Sequence, residues 1–227
     1  MTFLNIEGLD GSGKSTQIKL LIEYFQKKNI PYKYLHFPRT DSPIYGELIA
    51  KFLRGELGNM EEINPYLIAL IYAGDRNDAK FLIQKWKDEN YLVLIDRYVF
   101  SNIAFQCAKL ENAEEIDKLS NWIKHLEYDY YKLPKPDISL FLDAPIEFIR
   151  SNLANKRTGE DRQYLEGKED IHEKDINFQK KVRAIYLQEV NKENYFYSIS
   201  CYDEMNQIMP PQVTMNKILK FIGMEIQ

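Results

Sequence analysis

The stretch Gly8-Leu9-Asp10-Gly11-Ser12-Gly13-Lys14-Ser15-Thr16 fills every fixed position of the pattern G-x-x-x-x-G-K-[ST]. A short apolar run, residues 2–6, precedes it, and apolar residues follow it from Ile18 to Phe25 at the i, i+3, i+4, i+7 spacing of one helix face. The motif therefore lies between a predicted strand and a predicted helix, which is the context of a phosphate-binding loop. The alternative is a glycine-rich strand–helix turn that binds no ligand.

The chemistry expected of this loop follows from its residue types. Glycines let the backbone curl so that successive N–H groups point towards an anion, and the N-terminus of the next helix adds partial positive charge. We expect Lys14 to reach the β- and γ-phosphates of ATP and the Ser15 hydroxyl to bind Mg²⁺. The residues assigned to ATP are Gly8, Asp10, Gly11, Ser12, Gly13, Lys14, Ser15 and Thr16.

Length and composition limit the class of protein. The chain has 227 residues, and 44% of them are hydrophobic, which is enough for a buried core. No repeat or linker interrupts it, so we expect a single domain over residues 1–227. The net charge of −4 argues against a surface that binds nucleic acid. It does not argue against a phosphorylated small molecule, because such sites need only a few local arginines and lysines.

Cysteine content and the N-terminus indicate a compartment. Cys107 and Cys201 lie far apart without a C-x-x-C pair, so we expect neither a disulfide framework nor a zinc site. A reducing cytoplasm is then the default. The chain enters a predicted strand at once, without the charged and apolar leader of a secreted protein. No apolar run approaches the length that spans a bilayer, so we expect no membrane partner.

Hydrophobic periodicity predicts alternating strands and helices. The predicted strands cover residues 2–6, 32–37, 91–95, 138–142 and 195–199. The predicted helices cover residues 18–28, 43–54 (with Pro43 in its first turn), 64–87, 98–108, 114–128, 145–154, 175–191 and 211–222. Strands joined by helical crossovers indicate an α/β fold with a doubly wound, five-stranded parallel sheet flanked by helices. Ligands of such sheets bind at the carboxyl ends of the strands.

Polar residues follow three of the predicted strands. Asp10 follows the first, Arg39 the second, and Asp96-Arg97 the third. An acid at the end of a buried strand beside a P-loop is typical of the residue that organises Mg²⁺, and an arginine beside it offers a planar fork for a second phosphate. The alternative for Asp96-Arg97 is a surface ion pair or a helix cap. Two arginines at two strand ends favour a second phosphoryl group, and hence a kinase over a hydrolase.

Further motifs lie at characteristic distances from this loop. They are Phe37-Pro38-Arg39, Tyr72-Ala73-Gly74-Asp75-Arg76, Asp96-Arg97-Tyr98-Val99-Phe100-Ser101 with Ala104-Phe105-Gln106, Pro136-Asp137, and the stretch from Lys156-Arg157 to Arg162. With these motifs, nearly the whole chain resembles the thymidylate (dTMP) kinases, a family of P-loop nucleoside monophosphate kinases. Many families share the P-loop, whereas the run Asp-Arg-Tyr-x-x-Ser-x-x-Ala-Phe-Gln is much more specific.

The resemblance implies roles for the matching residues on the acceptor side. It implies that Asp10 accepts a hydrogen bond from the sugar 3′-hydroxyl and that Arg39 and Arg97 hold the dTMP phosphate. It also implies that Tyr72 stacks on the thymine and that Arg76 donates to the base O4. The acceptor residues implied in this way are Asp10, Phe37, Arg39, Tyr72, Arg76, Arg97, Ser101, Phe105 and Gln106. The family also implies ATP as donor, Mg²⁺ bound by Ser15 and Asp96, and a homodimer.

The predicted helix around residue 74 carries two of these roles. Tyr72 and Arg76 are spaced i, i+4 and share a helix face, so a stacking ring and a planar donor would meet one pyrimidine. The alternative is a core tyrosine and a solvated arginine. By the resemblance, Phe105 crowds the place of a ribose 2′-hydroxyl and Gln106 lines the monophosphate pocket. Gly74 inside a helix costs about 1 kcal/mol, which leaves room for a local distortion there.

A lid is predicted over residues 156–174. In one branch of the resembled family, the residue after Asp10 is a catalytic arginine or lysine, whereas Gly11 has no side chain. The resemblance therefore implies that Arg157 and Arg162 supply the charge from the lid, so the catalytic set is Lys14, Asp96, Arg97, Arg157 and Arg162. The alternative is a solvated loop whose charges only keep it soluble.

Rival functions remain at this stage. The first is another nucleotide or nucleoside kinase, and a second is a P-loop switch NTPase, although the chain lacks the guanine-specifying Asn-Lys-x-Asp. A third is a relative that binds nucleotide without turnover, against which Lys14, Asp96 and Arg97 argue. The apolar faces of helices 64–87 and 98–108 could pack against a second copy, or simply against the core.

Overall fold

A five-stranded parallel sheet forms the centre of the molecule. The computed structural model describes residues 1–59, 62–154, 165 and 175–225. The strands are β1 (Phe3–Gly8), β2 (Tyr32–His36), β3 (Leu92–Asp96), β4 (Ile138–Asp143) and β5 (Phe196–Ser200). Their order is β2-β3-β1-β4-β5, and each neighbouring pair is parallel. This confirms the predicted α/β fold.

Helices cover both faces of this sheet. Their bounds are α1 (Lys14–Lys27), α2 (Tyr45–Leu53), α3 (Pro65–Asp88), α4 (Val99–Cys107), α5 (Ala113–Lys124), α6 (Ile146–Ala154), α7 (Ile176–Lys192) and α8 (Pro211–Phe221). Helix α1 begins earlier than its apolar periodicity predicts, because the phosphate-binding loop runs directly into it. Pro43 lies outside α2, because Ile44 has a left-handed backbone with φ 64 and separates the proline from the helix. No helix in the described ranges is long and apolar enough to cross a membrane.

The predicted helix 114–128 is wrong at its C-terminal end. Helix α5 ends at Lys124, and a π-helical turn, His125–Tyr130, replaces its last part. The Tyr131 amide donates to the Leu126 carbonyl at 2.9 Å, which is the wider i→i+5 spacing of a π-helix. Such turns are frequent at functional sites, and this one carries a buried glutamate, Glu127.

The central strands are buried on both faces, as expected of a parallel sheet. Every residue of β1 and β3 is buried. Burying a side chain such as Phe3 or Leu4 contributes about 1.5–3 kcal/mol relative to leaving it exposed. Every residue of α4 is also buried within the chain, so a second copy cannot pack against it as proposed for residues 98–108. By contrast, α3 leaves large apolar side chains exposed, namely Leu67, Leu70, Phe81 and Leu82.

Gly74 lies inside a continuous helix, so the local distortion for which its low helix propensity left room does not interrupt α3. The reason for a glycine there is the ring of Tyr45, the first residue of α2. A Cβ on Gly74 would lie 2.2 Å from Tyr45 Cε1, which no real contact permits. Glycine destabilises the helix itself, but at this position it is the residue that lets α2 pack closely on α3.

A small second apolar cluster joins α2 to α3. It consists of Ile49, Phe52, Leu53, Ile68 and Leu165, and Tyr72 packs against it. Leu165 is the described residue of the predicted lid, and it is buried. The remainder of segment 156–174, including Arg157 and Arg162, lies outside the described residues.

Candidate active site

The phosphate-binding loop encloses a pocket of about 290 Å³ between β1 and α1. Residues 9–16 line it, together with Asn152 from α6. Asn152 Nδ2 donates to the Gly11 carbonyl at 2.7 Å, so α6 packs directly on the loop. Gly11 has φ 76, and a Cβ there would lie 3.3 Å from both Asn152 Cβ and the Ile149 carbonyl oxygen. Both the backbone and the packing therefore disfavour a side chain at position 11, because it would be strained at this φ and Asn152 and Ile149 would have to shift by a few tenths of an ångström.

Lys14 lies beside the end of β3. Its ammonium is 2.9 Å from Asp96 Oδ1, and both side chains are buried. Burial lowers the pKa of Lys14, against the pull of Asp96. Burial also opposes ionisation of Asp96, but Lys14 and then His36, whose Nδ1 is 3.1 Å from Oδ2, outweigh it and hold the pKa of Asp96 well below its usual range. The site therefore presents a cation and an ionised carboxylate side by side.

Arg97 is the next residue along the chain. Its Nη2 donates to Asp10 Oδ1 at 2.6 Å, and its Nη1 donates to Ser101 Oγ at 3.2 Å. The guanidinium carbon lies 5.1 Å from the centre of the Phe105 ring, within the range of a cation–π contact. The structure thus brings together four residues assigned to the acceptor: Asp10, Arg97, Ser101 and Phe105.

Arg39, after β2, is held by acids on α3 that the sequence reasoning missed. Its Nε donates to Asp75 Oδ1 at 2.9 Å, and its Nη2 donates to Asp78 Oδ2 at 2.7 Å. Asp75 Oδ2 also accepts from the Arg39 backbone amide at 2.9 Å. Phe37 lies in the core, where its ring is 5.9 Å from the guanidinium carbon of Arg39. Arg39 is therefore fixed at both its backbone and its side chain.

Arg76 is buried, so the alternative of a solvated arginine is wrong. Its Nη2 donates to Glu127 Oε1 at 2.6 Å, and its Nε donates to Glu127 Oε2. Removing one partner of such a buried pair typically costs about 3–5 kcal/mol. Asn102 Nδ2 donates to the same Oε1 at 2.9 Å, and its amide oxygen has no partner among the described residues. Tyr72 lies one helical turn before Arg76 and is half-buried, with its ring 6.4 Å from that of Phe52.

Gln106 is buried at the end of α4 and contacts a half-buried lysine, Lys109. Lys109 Nζ donates to Gln106 Oε1 at 2.7 Å and lies 4.8 Å from the centre of the Phe52 ring. Burial lowers the pKa of Lys109 to about 7. An ammonium in this position is desolvated and meets a neutral amide and an aromatic face.

The residues missed by sequence reasoning share one property. Glu7, Asp75, Glu127 and Asn152 each hold a predicted site residue or a loop carbonyl rather than an expected ligand, and Asn102 in turn holds Glu127. Single polar residues in apolar strands and helices, such as Glu7 in the buried β1, are the signal that could have found them, because a buried charge needs partners.

These features define the class of protein. A P-loop lysine paired with a strand-end carboxylate, with further arginines fixed at the ends of neighbouring strands, is the arrangement of a P-loop phosphotransferase. The chain belongs to the thymidylate kinase family, because the family model described as thymidylate kinase matches residues 6–209.

Individual relatives agree with this assignment. The chain is 33% identical to a thymidylate kinase of Mycobacterium tuberculosis over 185 residues, which are 81% of this chain and 83% of that protein. It is 32% identical over 197 residues to a probable thymidylate kinase of Pyrobaculum aerophilum, with 86% of each chain covered. A solved thymidylate kinase from Candida albicans shares the fold with a TM-score of 0.71 and 24% identity, covering 97% of this chain and 90% of that chain.

Proposed function

We propose that the pocket at the phosphate-binding loop takes the ATP phosphates and that the residues around Arg97 hold the acceptor phosphate. The chain is a kinase of the thymidylate kinase family, which transfers the γ-phosphoryl group of ATP to dTMP and so forms dTDP. The family places this reading ahead of another nucleotide kinase and of a switch NTPase. The observation that carries the proposal is that Asp96 and Arg97 are adjacent in sequence but contact different parts of the site. Asp96 contacts Lys14, whereas Arg97 contacts Asp10 and Ser101.

The proposed transfer needs charge and position rather than covalent chemistry. Lys14 neutralises charge on the β- and γ-phosphates, and Arg97 fixes the acceptor phosphate in line with the loop. We assign Mg²⁺ to Ser15 and Asp96. The ion would supply further positive charge to offset the negative charge of the β- and γ-phosphates. Asp96 fits this role because it stays ionised and buried, and Mg²⁺ is usually held by one or two carboxylates together with substrate phosphates.

The proposed base subsite lies along α3 and α4. Tyr72 stacks on the pyrimidine, and Arg76 donates to its O4. The orphaned amide oxygen of Asn102, held beside Arg76 by their shared partner Glu127, would be satisfied by an N–H of the base. Thymine and uracil present an oxygen and an N–H side by side, whereas cytosine presents an amino group and an acceptor nitrogen. The 5-methyl preference must then come from the shape of the pocket.

An acceptor panel tests this proposal. ADP release is measured with ATP and Mg²⁺ against dTMP, dUMP, UMP, dCMP and AMP. We expect dTMP to be the best acceptor and dUMP to be weaker but active, because one methyl group is worth only about 1–3 kcal/mol in a pocket. Preference for AMP or dCMP over dTMP would contradict the assignment.

We also propose a homodimer, as the resemblance implied. The exposed apolar residues of α3 support it, since a second copy could bury them. Phe81→Glu adds a charge at the residue with 77% exposure and should shift the mass measured by light scattering from dimer to monomer. An unchanged mass, or a monomeric wild type, would contradict a dimer through α3. Cytoplasmic localisation remains a prediction, supported by two unpaired, buried cysteines.

A further inference from the structure

Arg97 has an unusual backbone for an arginine. Its φ is 66, in the left-handed region that residues with a Cβ rarely adopt. A residue held there is strained and persists only where the surroundings fix it. The Arg97 amide donates to the Ile6 carbonyl at 2.9 Å, and the next amide, that of Tyr98, donates to Glu7 Oε1 at 2.8 Å. Both backbone restraints therefore come from β1.

Glu7 also reaches the side chain of Arg97, through Ser101. Ser101 Oγ accepts from Arg97 Nη1 at 3.2 Å and donates to Glu7 Oε2. The hydroxyl of Tyr186, from α7, lies 2.8 Å from Ser101 Oγ and donates to Glu7 Oε2 at 3.1 Å. Asn5 Nδ2 donates to Glu7 Oε1 at 3.0 Å, so both carboxylate oxygens are occupied.

This network is closed to solvent. Glu7 and Tyr186 have 0% exposed surface, and the Tyr186 ring stacks on Phe141 with 4.6 Å between centroids. Burial, and then Glu7, raise the pKa of Tyr186 well above its ordinary value, so its hydroxyl remains a donor. Burying a carboxylate that receives hydrogen bonds only from neutral donors costs free energy. Such a residue is therefore expected to have a role towards a neighbouring group. Glu7 reaches Arg97 from two sides, through the amide of the next residue, Tyr98, and through the hydroxyl of Ser101.

We propose that Glu7 and Tyr186 are positioning residues for phosphoryl transfer, because together they fix the strained backbone and the guanidinium of Arg97 for the acceptor phosphate. Neither residue contacts a substrate in this account. The inference rests on the proposed role of Arg97 in acceptor binding. It predicts that loss of the network weakens use of the acceptor and leaves use of ATP almost unchanged.

The test uses Tyr186→Phe, which removes one hydroxyl, and Glu7→Gln, which removes the charge. For Tyr186→Phe we expect kcat/KM for dTMP to fall about 3- to 10-fold, the range for one lost hydrogen bond, with the KM for ATP changed less than twofold. For Glu7→Gln we expect kcat/KM for dTMP to fall about 10- to 100-fold, again with the KM for ATP changed less than twofold. Should Glu7→Gln fail to fold by circular dichroism, Tyr186→Phe decides alone.

Two matched controls separate positioning from general stability. Glu189→Gln removes a buried carboxylate of α7 that is 2.7 Å from Lys124, away from Arg97, and Tyr24→Phe removes a hydroxyl that donates to the Glu225 carbonyl at 3.1 Å. Both should lower the Tm without changing kcat/KM for dTMP. Equal kinetic losses in the controls and in the network variants would overturn the proposal.

A double-mutant cycle with Arg97→Ala completes the test. In that background Tyr186→Phe should change kcat/KM for dTMP less than 1.5-fold, since no guanidinium remains to be placed. A full, independent loss in the Arg97→Ala background would overturn the positioning role. A wild type inactive on dTMP would contradict the proposed function instead. Active wild type and a defective Arg97→Ala with a normal Tyr186→Phe would contradict only this inference.

Discussion

Lys14 and Asp96 form a buried ion pair, 2.9 Å between the ammonium and Oδ1, that joins the phosphate-binding loop to the end of β3. The pair holds the loop lysine at the strand end that also carries Arg97. Without Asp96, Lys14 would be a buried ammonium that has lost its carboxylate partner, whereas Asp96 would keep its contact with His36.

Lys14→Met should nearly abolish phosphoryl transfer while the fold survives. The substitution removes positive charge from the place where negative charge develops, and losses of about 10²–10³ in kcat are typical for a single such group. The coupled ADP assay and circular dichroism measure the two effects. Lys19→Met, at an exposed lysine of the same helix, is the control and should keep full activity. Near-normal turnover of Lys14→Met would show that the loop is not catalytic.

Asp96→Asn and Arg97→Ala should affect different ligands. Asp96→Asn should weaken Mg²⁺-dependent catalysis, seen as a higher Mg²⁺ requirement and a lower kcat. Arg97→Ala should raise the KM for dTMP, because its guanidinium is fixed on the acceptor side by Asp10 and Ser101. Asp117→Asn, at an exposed acid of α5, serves as the control. An Arg97→Ala variant that alters only ATP affinity would show that the two roles are wrongly divided.

Arg157→Ala or Arg162→Ala should lower kcat far more than either variant raises a KM. The loop has no cationic side chain at position 11, and an arginine at a phosphoryl transition state is worth about 10³–10⁵ in rate. A loss confined to kcat is the pattern of an interaction made chiefly in the transition state. Arg54→Ala, which breaks a pair with Glu56 just after the end of α2, is the matched control. Normal kcat in both single variants and in the double variant would require another source of charge.

Lys109→Met should raise the Tm at pH 6.5, and the gain should shrink as the pH rises towards 10. The folded pKa of Lys109, about 7, lies below the value of an exposed lysine because of burial. The unfolded chain therefore binds more protons, so the cost of the buried ammonium is full below pH 7 and disappears above the unfolded pKa. Thermal melts at pH 6.5, 8 and 9.5 measure this gain. Lys118→Met, at an exposed lysine, should show no such trend, and a pH-independent gain for Lys109→Met would contradict the lowered pKa.

The sheet and the strand-end residues were predictable because they depend on local signals. A few consecutive residues are enough to predict a strand at 91–95 and a phosphate-binding loop at Gly8–Thr16. Lys14 and Asp96 could therefore be placed at the same edge of the sheet. Partners that meet from distant elements could not be placed in this way. Glu127 holds Arg76 from 51 residues away, and it does so from a π-turn that looks in sequence like the end of an ordinary helix.

Gly74 is a second feature that the local sequence does not explain. Helix propensity predicts a weak point there, and only the ring of Tyr45, which lies on another helix, explains why a glycine is needed. Packing between separate elements overrode the local preference. The start of α2 also differs from the prediction. The helix begins after Ile44, whose backbone is not helical, and not at Pro43.

The packing of α6 on Gly11 limits how this enzyme can change over evolutionary time. Position 11 has a left-handed backbone, and Asn152 and Ile149 already occupy the space that a side chain would need. A mutation to arginine or lysine would strain the loop backbone and would require α6 to shift by a few tenths of an ångström. Each later substitution at position 11 therefore has to overcome both the loop backbone and the position of α6, so a change of residue there is easier when α6 changes with it.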